Sequence, residues 1–68
     1  MPAEYDPLDV ELRTIEGVIA VGTYRRSTML HVQVVADALA PGARSQIRDL
    51  VCAHVRVPFL VETLVARP

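Results

Sequence analysis

The hydrophobic and polar positions of this chain alternate with two different periods, and the changes of period divide it into five elements. Apolar residues recur at i, i+4 and i+7 from Leu8 onwards, which is typical of one face of a helix. Two stretches rich in β-branched residues follow, then a second amphipathic stretch and a short apolar one. The pattern predicts two helices and three strands in this order: helix Pro7–Glu16, strands Val18–Arg25 and Met29–Ala36, helix Pro41–His54 and strand Phe59–Val65.

Turn-forming residues mark the ends of these elements. Asp6 is expected to cap the first helix by accepting a hydrogen bond, with Pro7 at the first helical position. Gly17 supplies a left-handed stop at the end of that helix. The four polar residues 25–28 are few enough to form a hairpin connection. Residues 1–5 are predicted to form a flexible tail.

The element order α-β-β-α-β predicts a single α+β domain. The first two strands form an antiparallel hairpin, and the last two are parallel because a helix connects them. The result is a three-stranded mixed sheet with both helices on one face, where Ile47 and Leu50 meet the apolar positions of the second strand. The opposite face stays open and carries Met29, His31, Gln33 and Val35, with Val18, Ala20 or Tyr24 as neighbours.

The composition indicates that this open face is covered by a partner. A chain of 68 residues is one domain, and it buries only about 60% of the surface that its unfolded form exposes. Yet 51% of its residues are apolar and its mean hydropathy is +0.30. Burial against a second copy accounts for this excess, so we expect a homodimer or a higher even oligomer, with another protein as a further possible partner.

The charge and the cysteine content bear on the binding partners and the cellular location of the protein. The formal net charge of −1 argues against attraction to nucleic acid or to a membrane surface. Cys52 is the one cysteine in the sequence, so a reducing compartment is the simpler interpretation. The first residues lack the apolar core of a signal peptide, and no apolar run approaches the roughly 20 residues of a membrane helix. We therefore expect a cytoplasmic protein.

The sequence contains few candidates for catalytic or metal-binding residues. The sequence contains no nucleophile with a base and an orienting group, so we expect neither an enzyme nor a bound cofactor. His31, His54 and Cys52 are the candidate metal ligands, with Asp37 beside them. Cys52 and His54 lie roughly 200° apart around a helix, so they cannot chelate one ion as a pair. His54 is better explained as a helix-end residue, where a cation suits the helix dipole.

Arg44 and Arg48 are one helical turn apart and are the candidate anion contacts. All seven basic residues are arginine, only three residues are aromatic, and no stacking motif is present. A solvated helix face is the favoured interpretation of this pair, and binding of RNA or phosphate is the least favoured function.

Several segments resemble the cytoplasmic C-terminal domain of cation diffusion facilitator transporters. The similar features are Gly17-Val18 with Val21 at the strand entry, the basic hairpin, and the pattern V-x-V-x-x-D-x-x-L over residues 32–39. The resemblance spans about residues 8–66 and implies a small ferredoxin-like module that dimerises and binds divalent metal. The histidine ligands of that family are not retained, since the nearest positions here are Val32, Ser45 and Val65. Modules of the alkaline-shock family share the later β-α-β outline.

The sequence therefore predicts a small non-catalytic interaction or regulatory module that assembles with itself. The first alternative is a sensor of divalent metal or of a small ligand, using His31 and its neighbours. The second alternative is the RNA or phosphate binder through Arg44 and Arg48.

Overall fold

The computed structural model describes residues 5–66 and places two helices on one side of a three-stranded sheet. The strands are ordered β1-β2-β3, with β1 antiparallel to β2 and β2 parallel to β3. These findings confirm the α+β class, the element order and the mixed sheet. The elements are α1 (Asp6–Arg13), β1 (Val18–Arg26), β2 (Met29–Ala36), α2 (Ala43–His54) and β3 (Phe59–Val65).

The core lies between the helices and one face of the central strand β2. Leu30, Val32 and Val34 of β2 are buried, as the alternation of that strand predicted. Ile47 is fully buried against them, whereas Leu50 is half-buried at the margin of the same cluster. The helices and their C-terminal ends contribute these buried apolar residues: Leu8, Leu12, Ile15, Ala43, Ile47, Val51 and Val55.

Helix α1 is shorter than predicted at its C-terminal end and begins one residue earlier. Tyr5 occupies the N-cap position instead of Asp6. Among the described residues, no side chain caps the start of this helix by a hydrogen bond. The backbone N–H and the hydroxyl of Thr14 both donate to the carbonyl of Glu11, at 3.1 and 2.6 Å. Such i→i−3 bonds tighten the chain and end the α-helix before Glu16.

Both remaining element boundaries that were predicted incorrectly involve residues with positive φ. Gly42 precedes α2 with φ 86°, so the helix begins at Ala43 and not at Pro41. The hairpin is tighter than the four residues predicted, because Arg26 pairs with Met29. Its two connecting residues begin with Ser27, whose φ is 58°.

A register shift in β1 changes which residues lie on the open face. Val18 pairs with Ala36, but Ala20 pairs with Val35, so Ile19 is an extra residue between them. Val18 therefore packs against the core, and its predicted place beside the open face was wrong. Ala20 and Tyr24 lie on the open face as expected.

Residues 1–4 of the predicted tail lie outside the described part, while Tyr5 is half-buried and contacts the core. Neither helix within residues 5–66 has the length and apolar character needed to cross a membrane.

Candidate functional site

The sheet surface that faces away from the helices is the main candidate, and we call it the open face. It consists of alternate residues of all three strands, aligned in rows by the pairing of the strands. Four of its apolar side chains are substantially exposed, with relative exposures of 38–52%. They are Tyr24, Met29, Leu60 and Leu64.

The row through His31 is aromatic and apolar. Tyr24 and Leu60 pair with His31 from either side. The rings of Tyr24 and His31 stack with centroids 4.8 Å apart and planes inclined by 11°. Stacking of this kind fixes the orientation of the two rings relative to each other.

The next row is polar and contains a depression. Gln33 lies between Gly22 and Glu62, and its Nε2 donates to Glu62 Oε1 at 3.3 Å. A Cβ placed on Gly22 would meet no atom within 4 Å, so the space above this residue is empty. The third row is apolar again and consists of Ala20, Val35 and Leu64. In the second and third rows, small residues of β1 therefore lie opposite large ones of β3.

The candidate metal ligands are not brought together. His31 lies on the open face, whereas Cys52 and His54 lie on α2, behind the sheet. Within residues 5–66 no group of three or more His, Cys, Asp and Glu side chains converges on a common point. His31 is surrounded by Tyr24, Leu60 and the neighbouring Gln33–Glu62 pair.

We expect zinc titrated into the purified protein to bind no more tightly than it does to a single surface histidine. The reason is that structural zinc sites use four protein ligands and catalytic ones use three. Isothermal calorimetry measures this directly. A tight site with one zinc per chain or per pair of chains would contradict the expectation and favour the sensor function.

His54 has a partner that sequence patterns did not indicate. Its Nε2 lies 2.5 Å from Oε2 of Glu11, which belongs to α1. The contact joins the two helices at the surface, with 29% of the His54 side chain and 51% of the Glu11 side chain exposed. Pairs that are this exposed contribute about 1 kcal/mol or less, so we assign this contact a minor structural role.

Arg44 of α2 lines two adjoining grooves beside that helix, and Arg48 lines one of them. One groove has a volume of about 380 Å³ and lies at the start of α2 beside Val65. The other measures about 290 Å³ and is lined by Arg44, Ser45, Arg48, Val61 and Thr63. Arg25 and Arg26 belong to β1, at the opposite edge of the sheet. The four arginines therefore lie at opposite edges of the sheet and do not form one continuous basic stripe.

Comparisons with protein-family models, with curated proteins and with solved structures found no match. The geometry of the open face and of the α2–β3 grooves therefore carries the functional argument.

Proposed function

We propose that this protein is a small non-catalytic interaction or regulatory module that works in the cytoplasm as a homodimer or higher even oligomer, assembled through the open face. The observation that carries the proposal is the clustering of exposed apolar side chains. Of the six large hydrophobic residues exposed in residues 5–66, four lie on this face. Covering each of them fully would contribute roughly 1.5–3 kcal/mol.

The arrangement of side chains on the open face suits a second copy of the same face. A two-fold axis parallel to β2 would place β1 of one copy over β3 of the other. Tyr24 would then lie over Leu60 of the partner, and the empty space above Gly22 would receive Glu62 of the partner. In the rows of Gly22 and Ala20 small residues would meet large ones, which suits two sheets packed at the usual separation of about 10 Å.

The resemblance to the cytoplasmic domain of cation diffusion facilitators supports the same proposal. That family domain dimerises, and the element order of this chain is the one that the resemblance implies. We extend the proposal to a ferredoxin-like fold on the same grounds. A full ferredoxin-like unit has four strands, with another strand between the two that a helix connects, whereas here β2 and β3 pair directly and the sheet has three.

Replacing Val35 by aspartate tests the proposal. Val35 lies in the third row of the open face and is partly covered within one chain. The substitution would bury a charge without a partner in both copies, so we expect the assembly to dissociate. Sedimentation velocity at micromolar concentration should show the wild type at twice the 7.5 kDa chain mass or more, and the variant at 7.5 kDa.

Val10→Asp provides the matched control. Val10 is 64% exposed on α1 and lies away from the open face. The same valine-to-aspartate change there should leave the assembly intact, and far-ultraviolet circular dichroism should show both variants folded. A monomeric wild type would refute the proposal, as would equal dissociation by the two variants.

A further inference from the structure

Strand β3 is an edge strand whose outward backbone groups can be assigned from its pairing with β2. Ala66 N–H donates to the Ala36 carbonyl at 2.9 Å, and the Pro58 carbonyl accepts from Leu30 N–H at 3.0 Å. In a parallel pair the residues that bond the neighbouring strand alternate along the chain. Even-numbered residues of β3 therefore bond β2, and the N–H and C=O groups of Val61, Thr63 and Val65 point outward.

This edge lacks the features that usually prevent strands from pairing with other chains. Within Phe59–Val65, all of which the structure describes, there is no proline, no bulge and one charge, Glu62. At the opposite edge, β1 has a register shift, and Arg25 Nη2 donates to Tyr5 Oη at 3.4 Å. Proteins commonly protect edges with such bulges and charges. The edge of β3 is thus open to an additional strand.

The groove above this edge is positively charged. It is lined by Val61 and Thr63 of β3 and by Arg44, Ser45 and Arg48 of α2. Both arginines are exposed, and among residues 5–66 neither has an ion-pair partner within 4.0 Å. No acidic side chain from the described part of the chain lines this groove or the adjoining one. A strand added at the edge of β3 would therefore place alternate side chains beside the guanidinium groups of Arg44 and Arg48.

We propose that the edge of β3 and the groove beneath α2 bind an extended acidic peptide by strand addition. The backbone of the peptide bonds the outward groups of Val61, Thr63 and Val65. Every second side chain of the peptide is a carboxylate that faces Arg44 and Arg48. In this mode of recognition the main chain supplies affinity and the alternate side chains supply specificity.

A second copy of this chain is the less suitable occupant of the same edge. Pairing β3 with β3 of another copy across a two-fold axis would bring two α2 helices together on one face of a continuous sheet. Arg44 and Arg48 of both copies would then face each other, and like charges opposed in this way disfavour association. The peptide site is separate from the open face, so it can be occupied whether or not the protein assembles through that face.

Fluorescence anisotropy with labelled peptides tests the proposal. The probe is a nine-residue peptide of alternating glutamate and valine, and the matched peptide has lysine in place of glutamate. We expect saturable binding of the acidic peptide that weakens as salt is raised, and at least tenfold weaker binding of the basic one. Equal binding of both peptides, or binding of neither, would overturn the proposal.

Two pairs of variants separate the contributions of the backbone and of the charges. Thr63→Pro removes one outward N–H, which an edge strand tolerates, whereas Thr63→Val keeps it. We expect about tenfold weaker binding of the acidic peptide for the proline variant only. The double variant Arg44→Gln, Arg48→Gln should also lose at least tenfold. The double variant Arg26→Gln, Arg56→Gln carries the same net charge but changes two exposed arginines that do not line the groove, so it should bind as the wild type does.

Sedimentation of the same variants identifies the occupant. If Thr63→Pro dissociates an assembly that Val35→Asp leaves intact, a second copy occupies the edge of β3 and the peptide proposal is wrong. If Val35→Asp gives a monomer that still binds the acidic peptide, the two sites are independent, as proposed. Unchanged peptide affinity in Thr63→Pro would exclude strand addition.

Discussion

Replacing Gly17 by alanine should destabilise the fold by about 2–5 kcal/mol, which combines backbone strain and steric overlap. Gly17 has φ 97°, a conformation that residues with a Cβ rarely adopt. A Cβ at this position would also overlap the carbonyl oxygen of Ala38. The two segments cannot separate easily, because the Gly17 carbonyl accepts from Asp37 N–H at 2.9 Å. A domain of this size has a total stability of only about 3–10 kcal/mol, so much of the population should unfold.

Gly42→Ala is the control that separates strain from overlap. Gly42 also has a positive φ, 86°, but a Cβ there would meet no atom within 4 Å. We expect this variant to lose about 1–2 kcal/mol from strain alone. Urea unfolding followed by circular dichroism, at one fixed protein concentration, gives both free energies of unfolding. Equal losses of unfolding free energy in the two variants would show that overlap with Ala38 does not contribute to the destabilisation.

The elements that the sequence predicted most accurately are those with a regular period or a clear boundary. The bounds of β2 and β3 match the predicted ranges: β2 has an apolar residue at every second position, and β3 follows directly after Pro58. The open-face positions of β2 follow from the same alternation. The register shift at Ile19 could not be predicted. Residues 18–21 are all apolar, so hydrophobicity does not distinguish one alignment of β1 from the other.

The two candidate functional surfaces, the open face and the α2–β3 groove, also differ in how far the sequence predicted them. The open face follows from local alternation, so its central residues could be predicted before the structure was known. The α2–β3 groove depends on contacts between distant segments. The spacing of Arg44 and Arg48 places them on one side of a helix, but it does not reveal that Thr63 lies beneath them. The contact between Glu11 and His54 is equally long-range, and neither residue carries a local signal of it.

Replacing Ile47 by alanine should cost roughly 2–5 kcal/mol of unfolding free energy. Ile47 is fully buried and joins α2 to Leu30, Val32 and Val34 of β2. Removing most of its side chain leaves a cavity where the helix meets the sheet. The structure can relax only partly around that cavity, since interiors are close-packed. Because α2 connects β2 to β3, loosening it also weakens the attachment of the edge strand that forms the proposed peptide site.

Gln46→Ala is the matched control for this experiment, since Gln46 is the preceding residue of α2 and is exposed. Alanine is a strong helix former, so this change should alter stability by no more than about 0.5 kcal/mol. A thermal melt at fixed protein concentration should therefore show a large downward shift for Ile47→Ala and almost none for Gln46→Ala. If Ile47→Ala leaves the melting temperature unchanged, the assignment of this helix face to the core is wrong. The placement of Arg44 and Arg48 beside β3 would then be wrong as well, because the same orientation of α2 about its axis places Ile47 in the core.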